Sequence, residues 1–148
     1  MKSIVILTLL LASLTIRAVA GENLRLNPKL DYGSDSQDGP LITGDDMDAV
    51  ISPGKPTYVI MYGEGCYNSK RQARRTVSLY EKYKGRVQFV VVDLDHALPA
   101  AQRELQKKYY RGYIPHVVVL DASANPLYNS SGEVDEVTIS GLLDKSLR

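Results

Sequence analysis

The sequence predicts an α/β fold, a mixed central sheet with helices on both faces. Three observations carry this expectation. Extended apolar runs alternate with helix-spaced ones from residue 57 onward. The run Val87, Phe89, Val90, Val91, Val92 has the unbroken apolar character of a strand buried on both faces. Two short strands joined by a tight turn then precede a closing helix.

Each element has its own signal. Thr57 to Tyr62 is rich in β-branched and aromatic residues and reads as a strand. Gly63-Glu64-Gly65 breaks it. A long helix is expected from about Cys66 to Lys84, ending at Gly85, with Ala73, Val77 and Tyr80 on its apolar side. Arg86 to Leu94 is the second strand. Pro99 opens a helix to about Tyr110. Gly112-Tyr113-Ile114-Pro115 is a loop. His116 to Asp121 is the third strand and Leu127 to Ser130 the fourth, and their short connection makes them an antiparallel hairpin. A closing helix spans about Val134 to Leu147.

The chain start differs from this body. Met1-Lys2, an uncharged run from Ser3 to Ile16, and Ala18-Val19-Ala20 describe a secretory signal peptide over residues 1–20. Fourteen uncharged residues fall short of the roughly 20 that span a bilayer. Arg17, close to the cleavage point, keeps a second reading open, an uncleaved membrane tether. Residues 21–40 read as a flexible tether, because Asp31 to Pro40 has Tyr32 as its one bulky apolar residue and cannot offset its ordering entropy. Thr43 or Asp45 is a candidate cap for a short helix through Ile51, with Met47 and Val50 on its apolar side. The folded domain is thus expected over 41–148.

Composition narrows the chemistry. Across 148 residues there are 18 basic and 17 acidic side chains, so net charge gives no reason to expect nucleic acid as a partner. Loss of residues 1–20 would remove Lys2 and Arg17 but no acid, leaving 16 basic and 17 acidic residues. One cysteine excludes an internal disulfide and a four-cysteine zinc site, and two histidines exclude a three-histidine metal site. In an exported compartment, Cys66 is free, paired with another molecule, or reactive.

A strand, a short loop and a cysteine opening a helix form a special setting, because helix amides and dipole stabilise a thiolate there. With Ile114-Pro115 ahead of the third strand, this arrangement resembles the thioredoxin family over about residues 41–148. The resemblance rests on Tyr62-Gly63-Glu64-Gly65-Cys66-Tyr67-Asn68-Ser69-Lys70, Val90-Val91-Val92-Asp93-Leu94-Asp95, Ile114-Pro115 and Gly132. The stretches 112–120 and 121–125 look most like exported or membrane-tethered members, which serve cytochrome assembly and envelope thiol reduction. The resemblance implies a cis Pro115 whose loop sits against the cysteine and pairs with substrate backbone. It implies Cys66, Ser69 and Pro115 as catalytic positions, Gly65, Tyr67 and Ile114 as substrate-binding ones, and no cofactor or metal.

The departures from that family are specific. Its second cysteine is Ser69, giving C-x-x-S. The tryptophan before its first cysteine is Gly65, its buried strand acid falls on Ile60, and the proline of its helix falls on Arg74. Ser69 cannot resolve a mixed disulfide, so release of a bound client needs an external thiol donor or the client's own second thiol. The expected partners are thiols or disulfides of exported proteins. The other reading is a binding or assembly module that has lost the chemistry.

Neighbouring residues invite further readings. Lys70, Arg71, Arg74 and Arg75 either raise the positive potential at Cys66 and attract acidic clients, or form a solvated outer face. Their position off the Ala73–Val77–Tyr80 stripe favours the solvated face. Glu64 is a candidate proton carrier or an exposed loop acid. His116 raises a Cys–His nucleophile, against which no third orienting residue is evident. His96 lies beside Asp93 and Asp95, a weak metal-binding pattern or a solvated loop. Tyr109, Tyr110 and Tyr113 form either an aromatic rim or ordinary helix-end packing.

Overall fold

A computed structural model describes residues 22–27, 40–45 and 51–148. The central sheet has four strands: β3 (Thr57–Tyr62), β4 (Gln88–Asp93), β5 (His116–Leu120) and β6 (Pro126–Ser131), ordered β4-β3-β5-β6. β3 runs parallel to β4 and antiparallel to β5, and β5 runs antiparallel to β6. Three helices complete it: α1 (Tyr67–Tyr83), α2 (Ala100–Tyr109) and α3 (Glu136–Ser146). Two further strands, β1 (Leu24–Leu26) and β2 (Ile42–Gly44), pair antiparallel with each other.

Strand alternation sorts the core into two layers. Tyr58, Ile60, Tyr62, Phe89, Val91, Val117 and Val119 meet α1 and α3 through Ala73, Leu79, Tyr83, Ile139 and Leu143. Val59, Met61, Val90, Val92, Val118 and Leu120 meet α2 through Ala101, Leu105 and Tyr109. This matches the mixed sheet with helices on both faces, and the strand and helix bounds differ from expectation by one or two residues at most ends.

The buried stripe of α1 is more polar than its sequence suggests. Ser69, Gln72, Ala73, Thr76, Leu79 and Tyr83 face the sheet, while Val77 and Tyr80 sit at the edge. Gln72 and Thr76 are tolerated because their polar atoms are paired. Tyr58 shares a 2.8 Å hydrogen bond with Thr76 Oγ1, which donates to the Gln72 carbonyl. Gln72 Nε2 donates to the Tyr58 hydroxyl, and its Oε1 accepts the Val134 amide at 2.9 Å. Burial pushes the Tyr58 phenol up to about 12, so it stays a neutral donor.

The expected tether is corrected in part. Leu24 is buried and Arg25 exposed, the alternation of a half-buried strand, and residues 22–27 belong to the folded body. Asn23 is the reason. Its side chain donates to the Val91 carbonyl at 2.9 Å and accepts the Val91 amide at 2.7 Å, so one amide side chain takes the place of a neighbouring strand on the outer edge of β4. Gly44 packs so close that a Cβ there would lie 2.6 Å from the Val91 carbonyl oxygen. Thr43 lies in β2 and is no helix cap; the Asp45 amide donates to the Asn23 carbonyl instead. Met47 and Val50 of the expected short helix lie outside the described residues, as do the signal peptide and 28–39 of the expected tether. Among the described residues, no helix is long and apolar enough to cross a membrane.

Candidate functional site

Cys66 is the N-cap of α1, with extended backbone (φ −97°, ψ 118°). Its carbonyl accepts the Lys70 amide at 3.0 Å, starting the helix, and its own amide donates to the Gly63 carbonyl. The loop that presents it is tight: a Cβ on Gly63 would come within 3.0 Å of both Asp95 and Ile114. Asp95 in turn accepts the Glu64 amide at 2.6 Å. These contacts bring the β3–α1 loop, the β4–α2 loop and the loop before β5 together at one end of the sheet, beside the thiol.

Ile114 is the opposite wall. The Ile114–Pro115 peptide bond is cis, Pro115 is buried, and the Ile114 carbonyl lies 3.9 Å from Cys66 Sγ. Gly132, at φ 94°, donates its amide to the Pro115 carbonyl and braces this loop from the far side. Cys66, Ser69, Pro115 and Ile114, singled out from sequence, therefore come together. Gly65 and Tyr67 flank the thiol on an open surface: a Cβ on Gly65 would touch nothing within 4 Å, and Tyr67 is 72% exposed.

The thiol is held below its ordinary value. The Ser69 backbone amide is the main cause, opposed by partial burial and helped by the Ser69 hydroxyl and the Asn68 amide. These donors belong to the first turn of α1, whose amides have no intrahelical acceptor and are free to meet a negative sulfur. Ser69 is fully buried and its hydroxyl has no hydrogen-bond partner in the thiol form. When Cys66 ionises, the sulfur becomes the acceptor for that hydroxyl, which gives a buried serine at this position a physical role.

The acid that matters electrostatically is Glu133, which the sequence reading missed. Its negative charge raises Cys66, against the amides. Arg75 pairs with Glu133 at 2.8 Å, and Arg71 bonds the same carboxylate. Burial pushes the Glu133 carboxyl up, but the two guanidiniums outweigh it and hold it below the usual range. The signal available in the sequence was the i, i+4 spacing of Arg71 and Arg75, which puts two cations on one stripe facing a single point of the neighbouring loop. The basic run next to Cys66 is therefore neither wholly solvated nor wholly directed at the thiol.

The other singled-out residues lie elsewhere. His116 is buried, with Nδ1 bonded to Ser131 Oγ at 2.8 Å and Nε2 to Asn129 Oδ1 at 2.7 Å. It follows Met61, Val118 and Leu120 on the α2 side of the sheet, across from α1, so a Cys66–His116 nucleophile pair is not formed. His96 pairs with Asp93 at 2.7 Å, and among the described residues no group of three ligands could hold a metal ion. Of the three tyrosines, Tyr109 is core and Tyr110 packs edge-on against His116, while Tyr113 is 75% exposed. Tyr67 and Tyr113 are thus exposed tyrosines next in sequence to Cys66 and to Ile114.

No protein-family model matches the chain. It is 28% identical over 121 residues to the thioredoxin-like protein HCF164, chloroplastic, of Arabidopsis thaliana, and 29% identical over 106 residues to the protein of that name from Oryza sativa subsp. japonica. These matches cover 80% and 72% of this chain but 44% and 39% of the relatives, so the chain spans about two-fifths of their length. Among solved structures, thioredoxin-2, a component of malaria parasite protein secretion machinery, has a TM-score of 0.55 at 18% identity, over 66% of this chain and 89% of that one. That likeness establishes the fold. Sequence similarity to thioredoxin-like proteins, together with the shared fold, supports a place in the thioredoxin-like superfamily.

Proposed function

We propose that the chain is a single-thiol disulfide-exchange protein of an exported compartment. The observation that carries this is Cys66 at the N-terminus of α1, held below its ordinary value by first-turn amides and facing the Ile114 carbonyl. The Cys66 thiolate attacks one sulfur of a client disulfide. A Cys66–client disulfide forms, the client's other sulfur leaves as a thiolate, and no electrons are gained or lost. An external thiol that attacks Cys66 Sγ frees the client and leaves a Cys66–donor disulfide, which a second donor thiol reduces, giving net reduction and a donor disulfide; a different client thiol that attacks the client sulfur instead frees Cys66 and gives isomerisation. Export is supported by the Met1–Ala20 pattern and is in keeping with relatives named as chloroplastic.

Alkylation of Cys66 followed against pH tests the first step. The thiolate is the reacting form, so a lowered value moves the half-maximal rate to lower pH. The expected midpoint lies clearly below the ~8.5 of free cysteine, and a midpoint at or above it overturns the reading.

A second reading, a binding or assembly module without thiol chemistry, is favoured by Ile60 and Ser69, where the family's buried acid and second cysteine are replaced. Non-reducing gels of the exported protein separate the two. Exchange predicts higher bands that collapse with reductant and are absent in Cys66→Ser. Full cellular function in Cys66→Ala would support the module instead.

A further inference from the structure

The stripe Tyr67, Arg71, Arg75 runs at i, i+4, i+8 up α1 from the thiol. Arg71 stacks over the Tyr67 ring at 5.1 Å and is bonded to Glu133, while Arg75 holds the other carboxylate oxygen at 2.8 Å. One carboxylate of the β6–α3 loop thereby occupies both guanidiniums and, through Arg71, fixes the exposed ring beside Cys66. The loop has anchors besides this ion pair. Val134 is held by Gln72 through its amide, and Gly132 by the Pro115 carbonyl. Arg75 also donates to the Val134 carbonyl at 3.4 Å. These backbone contacts remain available to hold the loop when the Glu133 carboxylate is changed.

Across the site the other exposed ring is Tyr113, next to Ile114. The loop on the remaining side carries Asp95, an acid bound to the Glu64 amide. An acidic client segment would meet this carboxylate and find Arg71 and Arg75 already paired. An aromatic or apolar side chain next to the client cysteine would meet Tyr67 and Tyr113.

We infer that Glu133 is a specificity-determining residue: by engaging Arg71 and Arg75 it directs Cys66 toward client segments with an aromatic or apolar residue beside their cysteine, and away from acidic ones. This rests on the thiol-exchange reading, and it adds to it the class of client. The recognition is of side chains flanking the attacked sulfur, so it affects the rate of the first exchange.

The test uses the full chain and three short peptides whose single cysteine is joined by a disulfide to thionitrobenzoate. The cysteine is flanked by phenylalanine, alanine or aspartate. Attack by Cys66 forms the Cys66–peptide disulfide, breaks the peptide–thionitrobenzoate bond and releases the coloured anion. The unmodified chain is expected to react about 3- to 10-fold faster with the phenylalanine peptide than with the alanine peptide, and slowest with aspartate. Tyr67→Ala should lose most of the aromatic preference. Glu133→Gln should gain several-fold on the aspartate peptide, an advantage that shrinks as salt rises. Thermal unfolding of each variant reports on the fold, and neutral 4,4′-dithiodipyridine reports on the thiol itself. Equal rates on the three peptides, a preference of the unmodified chain for aspartate, or no change of preference in a folded Glu133→Gln overturns the inference. No reaction with peptides or with dithiodipyridine overturns the thiol-exchange reading and this inference with it.

Discussion

Ser69→Cys is expected to release a captured client on the order of 100-fold faster than the unmodified chain at millimolar external thiol. The introduced thiol would sit one turn along α1 from Cys66, and i, i+3 residues of a helix have Cα atoms about 5 Å apart, inside the roughly 4.4–6.8 Å that a disulfide can bridge. It attacks Cys66 Sγ of the mixed disulfide, an internal disulfide forms, and the client leaves as a thiolate. In the unmodified chain the hydroxyl at this position can donate a hydrogen bond to the thiolate but cannot perform that attack. Ser69 is buried with no competing hydrogen-bond partner, so the change removes no other interaction. The measurement is single-turnover release of a labelled client from the preformed mixed disulfide, with insulin reduction by dithiothreitol as the multiple-turnover counterpart. Unchanged release, with the introduced thiol shown by alkylation to be present and reduced, would mean that the two sulfurs do not meet and that the α1 start is not a redox turn.

Asn23→Ala is expected to cost about 2–4 kcal/mol, through the Val91 amide and carbonyl that would be left buried without partners. For a domain of this size that corresponds to a fall in Tm on the order of 10 °C. The contrast is Arg25→Ala, two residues along the chain in β1. Arg25 pairs with Asp45 at 2.8 Å, but both side chains are more than half exposed, and such pairs contribute less than about 1 kcal/mol. Thermal melts of the two variants separate a structural β1 from a strand that merely lies on the surface. Equal and small effects would return residues 22–27 to the status of a tether.

The two predictions sit at opposite ends of what was legible beforehand. The site core was readable because it is local in sequence: a strand, two glycines and a cysteine opening a helix dictate the N-cap of α1 from neighbouring residues alone. The Ile114–Pro115 loop was readable through its resemblance to known family members. Tyr67 was named for the same reason, but its exposure follows from the packing of α1, whose buried stripe is Ser69, Gln72, Ala73 and Thr76 rather than the Ala73–Val77–Tyr80 line. A hydrophobicity pattern cannot anticipate a buried glutamine, because that glutamine is satisfied by Tyr58 and Val134, residues far away in the chain.

Asn23 and Glu133 show the same limit in sharper form. Each is a polar residue in a stretch with no local motif, and each acts on groups 58 to 68 positions away in the chain. Asn23 reads as a loop residue until the outer edge of β4 is placed beside it. Glu133 reads as a surface acid until α1 turns Arg71 and Arg75 toward it.

By itself, then, the sequence determined the alternation of strands and helices, the mixed sheet they form, and the single sulfur at a helix start with serine where a second sulfur would complete a redox pair. These follow from periodicity and from neighbours within a few residues. Only the tertiary structure decided that β1 is part of the domain, that His116 lies on the wrong side of the sheet to act on Cys66, and that Arg71 and Arg75, two of the cations beside the thiol, are held by one distant carboxylate. The reason is physical: hydrogen bonds and ion pairs between remote segments depend on which faces the packed sheet brings together, and a linear pattern of hydrophobicity carries no information about such pairings.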